Sequence, residues 1–189
     1  IHGDVKLNNV VRLDSRLCLI DLDAAVQKDH PAGAKLSSGM LPPEMVQELD
    51  LPQCKAFDRY FKEMKQDDAD RWAKIDSKKF GNGSEFFVVK TFLTKEEIVL
   101  KEQDGETKKV SEYHPVDVEL PYGLVDATAA IDIWTFGVVL YSLVTRLSLF
   151  PVNLDDDLSD ATAMKYLCVW NENKQKTKLE KINDPLAYE

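Results

Sequence analysis

The chain has 189 residues, 44% apolar and 30% charged, which suits one domain with a packed core and argues against global disorder. Its formal net charge of −9 argues against nucleic acid or an anionic membrane as main partner, because both need clustered Lys and Arg. Cys18, Cys54 and Cys168 lie far apart with no C-x-x-C pair, so no disulfide framework or zinc site is expected, and the setting is read as reducing, intracellular and cytoplasmic.

Taken in order, residues 1–9 read as a loop, since Gly3, Asp4 and several polar side chains interrupt any period. Val10 to Leu13 and Leu17 to Ile20 are short apolar runs around Asp14-Ser15-Arg16, a hairpin signal. Residues 21–44 lack periodicity and hold Pro31, Gly33, Gly39, Pro42 and Pro43. They are predicted to form a long ordered loop, and loops of that length are usually functional. Pro43 to Leu49 is predicted to open a short helix with proline in its first turn. From Lys55 to Lys74, Phe57, Tyr60, Phe61, Met64 and Trp72 mostly keep helical spacing.

Strands are predicted at Glu85 to Leu93, Glu97 to Lys101 and Thr107 to Val110, with Asp104-Gly105 turning between the last two. Ala129 to Thr145 is the strongest helix and has almost no polar face, so it is predicted to be buried on all sides. An acidic loop with Asp155-Asp156-Asp157 follows Phe150-Pro151 and reads as solvated. Helices are expected near 160–174 and 176–182. No apolar run reaches the length of a membrane span and no signal peptide is visible. The chain starts on Ile1 inside a motif and ends without a turn or tail, so it reads as a piece of something longer.

The chemistry concentrates at the start. Phosphoryl transfer needs an acid to orient the attacking hydroxyl, a cation for the transferring phosphate, and hard oxygen ligands for Mg²⁺. Asp4 suits the acid, Lys6 the cation, and Asn9 and Asp21 the metal ligands, with the hairpin returning Asp21 toward Asn9. Taken singly, Asp4 and Asn9 are ordinary turn residues, Lys6 an ordinary surface charge, and Asp21 and Asp23 an ordinary strand end.

The ordered set resembles the C-terminal lobe of a eukaryotic protein kinase. His2-Gly3-Asp4-Val5-Lys6-Leu7-Asn8-Asn9 is similar to the H-R-D-x-K-x-x-N loop, and Asp21-Leu22-Asp23 to D-F-G. Pro42-Pro43-Glu44 resembles A-P-E, and Asp132-Ile133-Trp134-Thr135-Phe136-Gly137 resembles the D-x-W-S-x-G that opens the family's central helix. The H-G-D and D-L-D wording is similar to that of kinase-like proteins of oomycetes and related protists.

The resemblance implies an α+β, mainly α, kinase-like lobe spanning 1–189 that lacks its N-terminal lobe. It implies serine/threonine specificity, ATP and Mg²⁺ as cofactors, a protein substrate and further domains in the parent chain. Asp4 and Lys6 would be catalytic, Lys6, Asn9 and Asp21 would bind the cofactor, and Asn9 and Asp21 would hold the metal. Ser37 and Ser38 would lie on the substrate side, with Ser37 bonded to Asp4 and Lys6. His2, Glu44 and Asp132 would be structural, Asp132 holding the catalytic loop's backbone and Glu44 pairing with an arginine beyond this chain. The chain alone would be inactive without the glycine-rich loop and strand lysine.

Three departures stand out. Gly3 replaces the arginine that commonly pairs with a phosphorylated activation loop, which makes switching by such a phosphate less expected. Asp23 replaces the glycine of D-F-G, a position whose unusual backbone angles aspartate tolerates better than most residues. Glu44 and Asp132 are 88 positions apart, where the family pattern needs about a dozen, so 51–119 reads as an inserted helix-plus-strands segment with a regulatory or docking role.

Two other readings fit. Gly3 and Asp23 resemble the H-G-D-x-x-x-x-N and D-x-D of aminoglycoside and choline phosphotransferases, whereas Lys6, Pro42-Pro43-Glu44 and the Asp132 motif do not. The same two residues also motivate a pseudokinase scaffold.

Overall fold

The computed structural model describes residues 1–33, 37–62, 75, 79–82, 85–103, 106–115 and 119–183. The turn expected at Asp104-Gly105, and Met64 and Trp72 of the expected helix, lie outside them. The fold is α+β, with small antiparallel sheets and, among the described residues, four α-helices. It is not mainly helical: strands and α-helices cover similar numbers of the described residues.

The hairpin forms as expected, pairing β1 (Val10–Leu13) with β2 (Arg16–Leu19). Asp14 makes the turn at φ 54, a left-handed angle that its short polar side chain tolerates. The long loop is pinned midway, where β3 (Pro31–Ala32) pairs with β9 (Val125–Asp126).

The helix expected at Pro43 to Leu49 does not form. A 3-10 turn at Pro43–Met45 leads into β4 (Val46–Leu49), which pairs with β6 (Glu85–Val89); β6 also pairs with β5 (Lys79–Asn82). The proline signal was local, whereas the β-branched and large apolar side chains of β4 found partners some forty residues away, Val46 opposite Val89 and Leu49 opposite Phe86. A separate ribbon, β7 (Thr94–Gln103) with β8 (Glu106–Pro115), is longer than the two strands expected there.

Side chains alternate across a strand, so β6 serves two cores. Phe87 and Val89 pack with Met45, Val46, Ile131, Phe150, Met164 and Leu167, while Val88 packs on the opposite face with Leu49, Phe57, Tyr60, Phe61 and Tyr122. The first core is closed by α2 (Ala129–Thr145) and α3 (Ala161–Cys168), the second by α1 (Leu51–Tyr60). Helix α1 starts at a capping box, in which Asp50 accepts from the Gln53 amide and the Gln53 side chain accepts from the Asp50 amide. The Tyr122 hydroxyl donates to the Thr91 carbonyl at 2.9 Å, and burial pushes its pKa well above the usual phenol range. β6, within 51–119, therefore supplies side chains to both cores.

Helix α2 is not buried on all sides. Ile131, Val138, Val139 and Tyr141 face the core, but Ile133 is 69% exposed, Phe136 53%, Leu140 44% and Leu143 56%. Apolar composition identified a helix with little polar surface; it carried no information on which faces neighbouring elements cover. The expected helix near 160–174 is split at Val169-Trp170, because Asn171 caps a new helix, α4 (Glu172–Glu180), by accepting from the Lys174 amide. No described helix is long and apolar enough to cross a membrane.

These placements set the expected cost of two substitutions. Phe87→Ala, on β6, is expected to cost about 3–5 kcal/mol through lost burial and a residual cavity. Leu140→Glu, on the central helix, is expected to stay within about 0.5 kcal/mol, as exposed substitutions do. Urea unfolding of both variants checks the pair.

Candidate active site

The first turn of α2 organises the loop at the start of the chain. The Asp132 carboxylate accepts from two consecutive backbone amides, His2 onto Oδ2 and Gly3 onto Oδ1, each at 2.9 Å. Charge-assisted bonds of this kind are the strong ones, and they span about 130 residues of sequence. His2 continues the frame with its ring. The Asp4 amide donates to Nδ1 at 3.3 Å, which requires Nδ1 to be unprotonated. Nε2 then carries the hydrogen and donates to the Ile20 carbonyl at 3.2 Å, tying the loop to the end of β2.

Gly3 is required by geometry. Its φ is +79°, and a Cβ there would stand 2.7 Å from the Ala24 carbonyl oxygen. Gly3→Arg is therefore expected to destabilise the fold by about 1–3 kcal/mol through the strained angle alone, and by more through the clash. A thermal melt that matches wild type would contradict this.

Downstream, Lys6 and Asn9 converge on Asp4. Lys6 Nζ lies 3.1 Å from Asp4 Oδ2 and donates to Ser37 Oγ at 2.8 Å. Asn9 sits at the end of the 3-10 turn Leu7–Asn9, buried, and its amide nitrogen donates to the Asp4 carbonyl at 2.9 Å and to Asp4 Oδ2 at 3.2 Å. One carboxylate oxygen thus carries both neighbours. The other, Asp4 Oδ1, is buried without a hydrogen-bond partner among the described residues. Such an atom costs stability, and a functional role is one reason for a protein to keep it.

Asp21 directly follows a residue whose backbone pairs with Asn9. The Ile20 amide donates to the Asn9 carbonyl at 2.9 Å, extending the hairpin by one step, and Asp21 follows at φ 64, exposed. The left-handed residue of Asp21-Leu22-Asp23 is therefore Asp21. Asp23 lies in the 3-10 turn Leu22–Ala24 and is absent from the positive-φ residues, so it carries no left-handed strain.

The Asn9 amide nitrogen is committed to Asp4, which leaves its carbonyl oxygen, together with the Asp21 carboxylate, as hard donors. That set fits Mg²⁺, which takes one or two protein ligands and completes its shell with waters and substrate phosphates. Among the described residues no group of three or more His, Cys, Asp or Glu side chains could hold a metal ion.

No protein-family model, curated protein or solved structure matches the chain.

Two expected site residues stand apart from it. Ser38, grouped with Ser37 by the sequence, faces away: it is fully buried and its hydroxyl donates to Asp157 Oδ1 at 2.9 Å. Glu44 is exposed in its 3-10 turn, with no ion-pair partner among the described residues. Asp156 and Asp157, read from the sequence as solvated, meet the Ser38 segment from a turn that Asn153 organises; the available signal was an asparagine two to four residues ahead of acids, an Asx-turn pattern.

Proposed function

We propose that this chain carries the catalytic residues of an enzyme that transfers the γ-phosphoryl group of Mg-ATP to Ser or Thr hydroxyls of a protein. The observation that carries the reading is the Asp4 carboxylate, gripped on Oδ2 by Lys6 and Asn9 and unpartnered on its buried Oδ1. Asp4 Oδ1 orients the attacking hydroxyl and takes its proton as the new O–P bond forms and the bond to the ADP oxygen breaks. Lys6 supplies positive charge where the transferring group passes, and Ser37 and Asp4 fix its ammonium. Bound Mg²⁺ neutralises phosphate charge, and Asn9 and Asp21 are the residues suited to hold it. The Lys6–Ser37 bond, which joins the loop to a segment 31 residues away, favours a protein substrate by analogy with serine/threonine kinases.

The small-molecule phosphotransferase reading is favoured by one observation: Gly3 is built into its turn, so the H-G-D wording is no degraded H-R-D. It shares the Asp4, Asn9 and Asp21 chemistry. An intracellular setting belongs to the same proposal and rests on three cysteines that are all free.

The test is Mg²⁺-dependent thermal stabilisation of the full-length protein by ATP. A ligand at about a hundredfold over its Kd stabilises by about 2.7 kcal/mol. Stabilisation lost on chelation and in Asp21→Ala is the expected result. No shift in a folded wild-type protein favours the scaffold reading.

A further inference from the structure

The loop between α2 and α3, read from the sequence as solvated acid, is a built turn. Asn153 Oδ1 accepts from the amides of Asp155 at 2.9 Å and Asp157 at 3.0 Å, and the Asn153 amide donates to the Asp157 carbonyl at 2.8 Å. The Val152–Leu158 bridge closes it, and Leu158 is buried. The turn therefore has a shape of its own, and it presents Asp157 to the long loop.

There, Asp157 Oδ1 accepts from both the amide of Ser38, at 2.7 Å, and its hydroxyl, at 2.9 Å. Ser38 Oγ in turn accepts from the Leu158 amide at 2.8 Å. One residue on, the Gly39 amide donates to the Asp156 carbonyl at 2.9 Å, and a Cβ on Gly39 would stand 2.7 Å from that same oxygen, so only glycine lets the two backbones meet. One residue back, Ser37 accepts from Lys6. The connected path runs from Asp157 through Ser38 and Ser37 to Lys6 and Asp4.

The geometry points to Asp157 as a positioning residue of the phosphoryl-transfer site, a carboxylate latch that holds the Ser37–Gly39 segment against the catalytic loop. The inference rests on the proposed reading of the site and adds its regulation. A side-chain carboxylate does the ordering that an added phosphate does elsewhere, and Gly3 leaves no arginine in that motif to receive one. The segment is thus held in a working position without modification.

Asp157→Ala and Ser38→Ala in the full-length protein test this. Both are expected to lower kcat by about tenfold to a hundredfold, the cost of a displacement of ~1 Å at the reacting groups, with KM for ATP unchanged. Asp157→Asn, whose amide oxygen can accept both bonds, restores most of the rate. Acylation of Lys6 by limiting acetic anhydride, read by mass spectrometry, is a second readout that needs no activity: it should run severalfold faster in both alanine variants and at the wild-type rate in Asp157→Asn. Unchanged kcat in an active protein, or an unchanged Lys6 rate in folded alanine variants, overturns the latch. A folded wild type that transfers nothing rejects the phosphotransfer reading, while the Lys6 rate still decides whether the latch exists.

Discussion

Asp4→Asn is expected to reduce phosphoryl transfer by the full-length protein by about 10²- to 10⁴-fold, the usual contribution of a positioned acid–base group. The same substitution is expected to leave stability unchanged or slightly raised. Asp4 Oδ1 is buried without a partner among the described residues, and an unsatisfied buried polar atom costs about 1–3 kcal/mol. An amide in its place carries no charge to desolvate, although it weakens the bond to Lys6. A residue whose replacement abolishes turnover while sparing stability marks a functional site, because a structural carboxylate behaves the other way. Steady-state kinetics and a thermal melt on the same preparation separate the two effects. A drop in melting temperature in step with the drop in rate would assign Asp4 to the scaffold.

Asp132 is expected to behave in that opposite manner. Its carboxylate is the acceptor for the His2 and Gly3 amides, and Asp132→Ala leaves both without it. Bonds to charged groups are worth about 1.5–3 kcal/mol each, so a loss of about 3 kcal/mol is expected. At about 2–4 °C per kcal/mol for a domain of this size, the melting temperature falls by about 6–12 °C. Asp132→Asn is no milder, since one oxygen becomes an amide donor and now faces a backbone N–H. A melt within 2 °C of wild type, about half of what 1 kcal/mol shifts at the upper figure, would remove Asp132 from its supporting role.

What the sequence revealed was local. The β1–β2 hairpin was legible because two apolar runs flank a turn-forming triplet, and Asp14 supplies the left-handed residue. The loop from Asp4 to Asn9 stood out because an acid, a cation and an amide share one short run within an ordered set of motifs, and Lys6 and Asn9 do meet on Asp4 Oδ2. The Ser37–Lys6 bond came only through a family resemblance, since nothing in composition links positions 31 apart.

The misses share a cause in long-range pairing. Val46 to Leu49 became a strand because β6 lies beside it. Asp157 looked solvated because its partner, Ser38, is 119 residues away. Helix α2 looked buried because periodicity reports the composition of its faces and leaves open which of them other elements cover.

The central claim is phosphoryl transfer at Asp4. The direct measurement incubates the full-length protein with radiolabelled ATP, Mg²⁺ and a mixed protein substrate, and identifies the labelled amino acid. Phosphoserine or phosphothreonine that is lost on chelation and in Asp4→Asn is the result expected. Label confined to small amino or hydroxyl compounds, or no label at all from a folded protein, would contradict it.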